Sequence, residues 1–490
     1  MAGIGFELKK LFSQKGLFAL LRAYGYAGIV CTGPMLLGIL LLFGVRMLAA
    51  IGGADEPTGE LLNSMLTYTL LASLFITNIL SMVTTRFTAD ALYEDKKEIV
   101  MPSFYGCISI MLVVGSCSYG VFLYNAGIPL SYGVLCLVLF GELVVVWTEI
   151  NYLTAVKDYR GILVTFFGAL VASLFVGYIM IRLGMPIIPT LLFTMTVAYG
   201  IMMVWYYYLL ISYFPVSKGS SFLFLKWMDQ YPELSLLGTF MGIGLFGHMI
   251  VMWFSSISVH IHGLYYGAPW YDIPCLFAFM SILITTINFV TSVEVNFYPK
   301  YRNYFSLFND GGSLKDIRQA EQEMRVTLQK ELGYTYTKQL FTTILFIVVG
   351  TILLPRFPIN FSEETLGIYR VLCVGYAFYS LGNITMLILL YFSDNKGALI
   401  AGGIFAVTSL LGTIIISRGS IKYFGFGFLI SGVLFLLFSL GRLFLYLRKL
   451  PYHVLSRQPI IIQKRKTILT VITDYLEVRY EKRGLENAEK

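Results

Sequence analysis

The stretches "KDYRGIL" (157–163) and "SDNKGAL" (393–399) are two versions of one short turn. Each contains an aspartate, a spacer, a basic residue and a glycine in that order, and Asp394 follows Asp158 by 236 residues (394 minus 158). Each turn ends one long apolar run and begins another, as a polar connection between two membrane-crossing helices does. Because the chain carries this connection twice, we expect it to contain an internal duplication.

The composition indicates a membrane protein. Of the 490 residues, 57% are apolar and only 13% are charged, with a mean hydropathy of +0.74, whereas soluble domains carry about 25% charged residues. Apolar runs of about 20 residues recur from Tyr24 to Leu447, long enough to cross a bilayer as helices. A water-soluble core is therefore excluded, and a β-barrel is disfavoured because its strands alternate polar and apolar residues in segments of about 10. We predict an all-α polytopic membrane protein with about twelve spans, near residues 24–51, 61–84, 103–126, 131–155, 161–181, 187–212, 235–260, 273–297, 338–355, 365–392, 398–418 and 423–447.

The placement of basic residues predicts the orientation. One side of the twelve-span arrangement takes about 30 of the 36 lysines and arginines, and it includes both termini. Positive loops stay in the cytosol, so we expect a multi-pass protein of the cytoplasmic membrane with both termini cytosolic. The net charge of +8 then reflects topology and contact with anionic lipid, and no nucleic-acid partner is expected.

Further matches support the duplication. "YGVLC" (132–136) is similar to "YRVLC" (369–373) at an offset of 237 (369 minus 132), and "SLFITNI" (73–79) is similar to "SILITTI" (281–287) at an offset of 208 (281 minus 73). Any one match between apolar stretches arises easily by chance, but these occur in order and at consistent positions in the spans. Spans 2, 4 and 5 thus correspond to spans 8, 10 and 11. This predicts two six-helix bundles as parallel repeats, an architecture used by transporters.

The domain organisation follows from these spans. We predict a cytosolic or interfacial amphipathic helix, an N-terminal six-helix lobe, a cytosolic linker, a C-terminal six-helix lobe with a cytosolic helical insertion, and a basic cytosolic tail. Their bounds are 1–22, 23–212, 213–234, 235–447 with the insertion at 299–338, and 448–490.

Polar residues inside the spans are the first candidates for function, since a charge near the centre of a span costs about 2.5–3.5 kcal/mol on insertion scales. Glu142 and Glu149 are seven residues apart in span 4, a spacing that places them on one face of a helix. Asn151 extends this polar stretch. We expect these residues to line a substrate path; buried ion pairs with a structural role are the alternative.

Two further predictions concern gating and coupling. Arg86 and Glu294 occupy equivalent places near the cytosolic ends of spans 2 and 8, so their opposite charges predict a gate pair between the lobes. Each could instead reach the headgroups independently. His248 in span 7 is a possible coupling site for a proton, or a buried polar group with a structural role.

Tyrosines are the third group of candidates. Sugar rings present C–H faces that stack on aromatic rings, and their hydroxyls hydrogen-bond to tyrosine. Tyr376 and Tyr379 are therefore candidates for the substrate path, with Tyr119 and Tyr152 as additional ones. Packing and interfacial belts are the alternative role for any single tyrosine.

The sequence offers no catalytic site. It contains neither a P-loop nor an acidic D-x-D motif, and its six cysteines lack metal-binding spacing. We expect no catalytic residues, no metal and no cofactor.

Five stretches carry a resemblance to a known family: "MAGIGFELKKLF" (1–12), "AYGYAGIVCTGP" (23–34), "SVEVNFYPKYRNYF" (292–305), "GGSLKDI" (311–317) and "YFSDNKGAL" (391–399). They resemble the PelG family, the membrane transport subunits of the Pel exopolysaccharide system. The resemblance covers essentially the whole chain.

The resemblance implies a flippase-like exporter with two lobes of membrane helices, which moves a nascent N-acetylgalactosamine-rich polysaccharide across the cytoplasmic membrane. It also implies partners: a cytosolic glycosyltransferase, PelF, and the membrane subunits PelD and PelE, besides the polysaccharide and the lipid bilayer. Two alternatives stay open. One is a cation-coupled exporter of lipid-linked sugars or small molecules from the same superfamily. The other is a scaffold of a polysaccharide synthase complex that conducts nothing.

Amphipathic stretches outside the spans are candidate docking elements. Residues 313–332 begin with a helix-capping pattern and carry apolar residues at helical spacing. The tail has a basic patch at 464–466, followed by an amphipathic stretch at 467–482. We expect the first stretch and the tail to meet partner subunits; a solvated or lipid-lying helix is the alternative.

Overall fold

The fold was analysed in a computed structural model, which describes residues 36–156, 158–309, 311–356, 361–456 and 467–488. The amphipathic segment predicted at 1–22 and the first part of the predicted span 24–51 lie outside the described residues. Only the last part of that span is described, as an apolar helix over Leu36–Ile51.

The described residues are almost entirely helical. The helices of the first part of the chain are α1 (Leu36–Ile51), α2 (Glu56–Tyr93), α3 (Val100–Asn125), α4 (Leu130–Val156), α5 (Tyr159–Arg182), α6 (Ile187–Tyr213), the short α7 (Leu225–Gln230) and α8 (Pro232–Met252). A two-stranded antiparallel hairpin follows, with β1 at Val259–His262 and β2 at Tyr265–Gly267. The later helices are α9 (Pro269–Phe279), α10 (Leu283–Ser292), α11 (Tyr298–Asn309), α12 (Leu314–Leu353), α13 (Glu363–Tyr391), α14 (Asn395–Ser417), α15 (Phe426–Arg448), α16 (Leu450–Ser456) and α17 (Ile468–Ala488).

Short irregular turns join or extend some of these helices. They are 3₁₀ turns at Lys97–Ile99, Met280–Ile282, Leu354–Arg356 and Ile421–Tyr423, and a π-helical turn at Val293–Phe297.

Eleven helical segments in the described ranges are long and apolar enough to cross a membrane. They coincide with the second to the twelfth predicted spans, and α1 covers part of the first. The prediction of an all-α polytopic membrane protein is confirmed.

The chain divides into two compact units. Of the described residues, the N-terminal unit comprises those within 36–247, 258–267 and 467–488, and the C-terminal unit comprises those within 248–257 and 268–456. The hairpin and the tail thus pack with the N-terminal unit. The lobe boundaries expected from the sequence stay a prediction.

Each unit repeats one packing pattern. In the N-terminal unit, α4 packs against α2 and α6, and α6 packs against α5. In the C-terminal unit, α13 packs against α9 and α15, and α15 packs against α14. Helices α4, α5 and α6 therefore have the same neighbours as α13, α14 and α15, in the order that the sequence repeat predicts.

The two turns that revealed the repeat have the same geometry. Asp158 precedes α5 with φ −85° and ψ 64°, and Asp394 precedes α14 with φ −81° and ψ 63°. The backbone N–H of Gly161 donates to Asp158 Oδ1 at 2.9 Å, and that of Gly397 donates to Asp394 Oδ1 at 3.4 Å. Each aspartate thereby caps a helix N-terminus, whose first amides have no partner within the helix.

The glycine of each turn is required by the cap. A Cβ at position 161 would overlap Asp158 Oδ2, and a Cβ at position 397 would overlap Asp394 Oδ2. The carboxylate can close over the helix start only if the residue three positions later has no side chain. This explains why the aspartate and the glycine recur together.

The second turn carries an ion pair in addition to its cap. Arg442 on α15 donates from Nε to Asp394 Oδ2 at 2.6 Å and from Nη2 to Asp394 Oδ1 at 2.9 Å. Asp394 is only 1% exposed, so this bidentate pair satisfies a buried carboxylate and ties the turn to α15.

Close helix contacts in the C-terminal unit depend on small residues. The Cα of Gly427 on α15 lies 3.3 Å from the position that a Cβ at Gly412 on α14 would take. Any side chain at either position would force the two backbones apart. Small residues at such crossings allow helices to pack tightly in membranes.

A helical hairpin extends the C-terminal unit. Helix α12 is 40 residues long, and its first half pairs with α11 through an ion pair between Lys300 and Glu323 at 2.8 Å. Met324 and Leu328, on the apolar face of α12, are buried in a cluster with Leu389 and Tyr446. The apolar face that the sequence offered for docking is thus largely covered by the chain itself. Whether 313–332 also meets a partner stays a prediction.

Hydrogen bonds hold the β-hairpin against α2 and against the turn before α4. The hydroxyl of Tyr68 on α2 accepts from Tyr266 N at 3.1 Å and donates to Tyr266 O at 3.0 Å. The Nε2 atom of His262 lies 3.0 Å from the carbonyl oxygen of Gly127 in the turn before α4.

The matched turns allow the contribution of the ion pair to stability to be compared with that of a helix cap. We predict that Asp394→Ala lowers the free energy of unfolding by about 3–5 kcal/mol, because it leaves a partly buried arginine unpaired. Asp158→Ala, which removes a cap and a hydrogen bond with Tyr213, should cost about 0.5–2 kcal/mol. The measurement is denaturant unfolding of the purified protein in detergent. Equal losses in the two variants would show that Arg442 contributes nothing.

Candidate functional site

A groove of about 850 Å³ opens between α4 and α6 of the N-terminal unit. This volume lies in the usual range of ligand sites, about 300–1,000 Å³. One of the sequence-predicted path residues, Glu142, lines it. The other residues that line it all lie on α6: Thr196, Val197, Gly200, Ile201, Val204, Trp205 and Tyr208.

The carboxylate of Glu142 is set into the wall of the groove. A Cβ at Gly200 would lie 3.2 Å from Glu142 Oε1, so the glycine gives the carboxylate room to approach α6. Its Oε2 atom is buried and has no hydrogen-bond partner among the described residues. The wall of the groove therefore contains a buried carboxylate oxygen without a hydrogen-bond partner among those residues.

Two aromatic side chains and Val204 form the most exposed part of the groove. Trp205 is 51% exposed and Tyr208 is 68% exposed, and they lie three residues apart, which places them on one face of α6. Between them in sequence, Tyr206 is buried and donates to Ile162 O at 2.9 Å, and Tyr207 hydrogen-bonds the hydroxyl of Tyr105 at 2.8 Å. Tyr206 and Tyr207 thus hold α6 against neighbouring helices, whereas Trp205 and Tyr208 line the groove.

The sequence reasoning did not single out Trp205 and Tyr208. The signal was the run "WYYY" at 205–208, read together with the helical spacing of 197, 200, 201, 204 and 208. That spacing defines one continuous face of α6.

Glu149 lies on the same helix as Glu142 but inside the unit. Its side chain is fully buried, and neither carboxylate oxygen has a hydrogen-bond partner among the described residues. A buried carboxylate without partners costs several kcal/mol as an anion. Asn151 is partly buried on the same helix. The assignment of Glu142, Glu149 and Asn151 to a substrate path stays a prediction.

The candidate tyrosines of the N-terminal unit are core residues in this structure. The hydroxyl of Tyr119 hydrogen-bonds Thr69 Oγ1 at 2.8 Å, and that of Tyr152 hydrogen-bonds Ser103 Oγ at 2.9 Å. Both rings are buried, so these contacts join α2, α3 and α4.

The candidate tyrosines of the C-terminal unit are also buried, at 2% exposure for Tyr376 and 8% for Tyr379. The hydroxyl of Tyr376 hydrogen-bonds Cys275 Sγ at 2.9 Å, and its ring lies 4.7 Å from that of Phe428. Tyr379 stacks on Phe405 at 5.1 Å. These contacts give both tyrosines a packing role, and their place on a substrate path stays a prediction.

His248 belongs to the same aromatic cluster. It is fully buried, its Nδ1 lies 2.8 Å from the hydroxyl of Tyr271, and its ring lies 4.2 Å from that of Phe428. Tyr271 thus orients the ring. The coupling role of His248 stays a prediction.

The predicted gate residues lie in different units. Arg86 forms an ion pair with Asp90 on α2 at 3.0 Å, and its guanidinium lies 5.4 Å from the centre of the Tyr231 ring. Glu294 lies in the π-helical turn after α10, and such turns often mark functional positions. The gate pair stays a prediction.

A buried polar network between α10 and α12 was not found from the sequence. Asn288 donates to Thr335 Oγ1 at 2.9 Å and accepts from Lys338 Nζ at 2.9 Å. Thr285 donates to Gln339, which donates to Thr343 at 3.0 Å. Uncharged polar residues are common in membrane spans, so their presence alone did not identify this network. The residues that α12 contributes are spaced by three and four positions, which places them on one face of the helix.

Comparison with solved structures identifies the fold that this arrangement of helices adopts. The structure resembles a MOP superfamily transporter from Pyrococcus furiosus Vc1, with a TM-score of 0.57 and 12% identity over 87% of this chain and 96% of that chain. It also resembles the eukaryotic MATE transporter AtDTX14, with a TM-score of 0.59 and 10% identity over 94% of this chain and 99% of that one. A search of curated protein sequences gives no match. At such identities the likeness shows the fold alone, which is a multi-pass bundle of membrane helices.

The family is shown by the sequence itself. Residues 1–455 match the model of the PelG family, described as "Putative exopolysaccharide Exporter (EPS-E)". The chain belongs to this family, and family and fold point to a transporter rather than an enzyme. Among the residues that the structure describes, no group of three or more metal-ligating side chains occurs.

The burial of Glu149 generates a prediction. We expect Glu149→Met to raise the free energy of unfolding by about 1–4 kcal/mol, because an apolar side chain of similar size replaces a buried carboxylate that has no partner. Thermal unfolding in detergent measures the effect, and Glu56→Met, at an exposed acid in the first turn of α2, is the matched control. A loss of stability instead would mean that the carboxylate is paired by residues outside the described ranges.

Proposed function

We propose that the protein exports a nascent N-acetylgalactosamine-rich exopolysaccharide of the Pel type across the cytoplasmic membrane by a flippase-like, two-lobe pathway. Membership of an exopolysaccharide exporter family supports the substrate class. The identity of the sugar rests on the resemblance to Pel systems. A cytosolic glycosyltransferase would supply the chain, and membrane subunits would complete the assembly.

The observation that carries this proposal is the groove lined by Glu142, Trp205 and Tyr208. Pyranose rings present apolar C–H faces that stack on exposed aromatic rings, and their hydroxyls and amide N–H groups donate hydrogen bonds to carboxylates. The groove supplies two exposed rings and the side chain of Glu142 in its wall, whose Oε2 atom is buried and has no hydrogen-bond partner among the described residues. A mostly apolar surface with few polar groups suits a polymer that must move along it, since strong contacts at every sugar would hold it in place.

The main test is the amount of polymer secreted by variants of the groove. We predict that Trp205→Leu lowers secretion about 2–10-fold, since one aromatic stacking contact contributes about 0.5–1.5 kcal/mol. Glu142→Gln should lower it further, because the amide loses charge-assisted hydrogen bonds. Secreted polymer is measured with a lectin for N-acetylgalactosamine and divided by the amount of protein in the membrane.

The chain offers a matched control. Phe175 on α5 is 64% exposed but does not line the groove, so Phe175→Leu should secrete normally. If Trp205→Leu and Glu142→Gln also secreted normally at wild-type protein levels, the groove would not contact substrate. That result would favour a scaffold that conducts nothing.

A small-molecule exporter makes a different prediction. If Glu142→Gln abolished an ion-dependent efflux of small cations and left polymer secretion unchanged, the protein would belong to the cation-coupled alternative. Efflux of a fluorescent cation from cells expressing the wild type and the variant distinguishes the two.

A further inference from the structure

The tail helix α17 is held on one side by the short helix α7. Asp229 Oδ2 accepts from Thr470 N at 2.6 Å and from Thr470 Oγ1 at 2.7 Å, so Asp229 caps the start of α17. Lys226 Nζ lies 2.8 Å from Asp474 Oδ1 and 2.6 Å from Glu477 Oε2. Two residues of α7 thus fix both the position and the rotation of α17.

The charge states of these groups favour the same contact. Burial acts to lower the pKa of Lys226, but its hydrogen bonds to Asp474 and Glu477 outweigh burial and raise the pKa above its ordinary value. Burial acts to raise the pKa of Asp229, but hydrogen bonds from Thr467 and Thr470 outweigh it and hold the pKa below its ordinary value. Both α7 residues are therefore charged at neutral pH.

Because the rotation is fixed, a row of apolar side chains on α17 points away from α7. We call this row the tail stripe; its residues are Ile468, Val471, Ile472, Tyr475 and Val478. They are between 45% and 78% exposed and follow a spacing of three and four residues, which is one face of a helix. Nothing among the described residues covers the tail stripe.

The chain around α17 indicates what covers it. The last span ends at Arg448, and α17 begins twenty residues later at Ile468 (468 minus 448), so a bilayer surface is always within reach of the helix. The linker 457–466 contains four basic residues and no acidic one. Lys226 pairs with both Asp474 and Glu477 and offsets one of their two negative charges. An amphipathic helix next to basic residues is the combination that binds an anionic membrane surface.

We propose that α17 is an interfacial helix whose tail stripe inserts among the headgroups of an anionic bilayer while α7 holds its polar face. The occupant of the stripe is lipid, attracted by the positive charge that precedes the helix. The helix lies beyond residue 455, where the family match ends, so this contact is a property of the chain's own C-terminal segment.

The experiment uses the full-length protein in nanodiscs. An environment-sensitive fluorescent amino acid replaces Tyr475, and a second version carries it at Leu314, an exposed residue at the start of α12. The nanodiscs contain either phosphatidylcholine alone or phosphatidylcholine with phosphatidylglycerol, and the lipids carry a quencher. We expect quenching at position 475 to exceed that at 314 about threefold in anionic lipid, and to fall by about half without phosphatidylglycerol.

A matched pair of variants tests the stripe. Ile472→Asn should reduce quenching at 475 to the level at 314, while Val326→Asn, at an exposed apolar position on α12, should leave it unchanged. The proposal is overturned if position 475 is as open to a water-borne quencher as 314. It is also overturned if 475 is shielded from both quenchers, because a protein segment then covers the stripe, or if quenching does not depend on lipid charge.

Discussion

The first amides of a helix have no partner within the helix, so each reversal of the chain between two spans needs acceptors close to the start of the next helix. Asp158 and Asp394 meet this need in the same way, with a carboxylate closed over a glycine that leaves it room. The hairpins α4–α5 and α13–α14 depend on these turns, and α6 and α15 pack across them. The first of these turns thus helps to position α4, which carries Glu142 at the groove.

The spans, the internal repeat and the two matching turns could be predicted from the sequence, whereas the caps formed by Asp158 and Asp394 are seen only in the structure. Length, charge and short matches encode the spans, the repeat and the turns directly, and eleven of the twelve spans are recovered as long apolar helices. Which face of each helix is buried could not be predicted. Core and lipid are both apolar, so hydrophobic periodicity does not distinguish them in a membrane helix. The sequence therefore does not show that Trp205 is exposed at a groove or that Tyr376 is buried in the core.

The same limit did not apply where helices meet water. The helix cap at Ser313 and the apolar face of α12 were predicted correctly. In water, the exposed face of a helix carries polar residues and the covered face apolar ones, so the sequence shows which face is which. What covers that apolar face could not be predicted, since contacts with Leu389 and Tyr446 connect residues far apart in the sequence. The site predictions for Glu142 and Glu149 depended on charge alone. Charge identifies the residue in a span but not whether it faces a groove or the core.

Corresponding helices of the repeat use their polar groups differently. On α13, the Tyr369 hydroxyl donates to Phe346 O at 2.7 Å, and Arg370 donates to Thr351 at 3.2 Å, so these groups hold the C-terminal unit together. On α4, within the described residues, both glutamates keep carboxylate oxygens without partners. The two frameworks are similar, but the polar groups of α13 are used in packing, whereas the two glutamates of α4 keep buried oxygens without partners among the described residues.

The length of α12 has a mechanical consequence. Its 40 residues make a continuous rod of about 60 Å at about 1.5 Å per residue, roughly twice the thickness of the hydrocarbon core. A rigid rod cannot tilt at one end without tilting at the other. The first half of α12, which pairs with α11 through Lys300 and Glu323, and the residues Thr335, Lys338 and Gln339 of the polar network therefore belong to one continuous helix. Any tilt of the first half would be shared by the residues that contact Asn288.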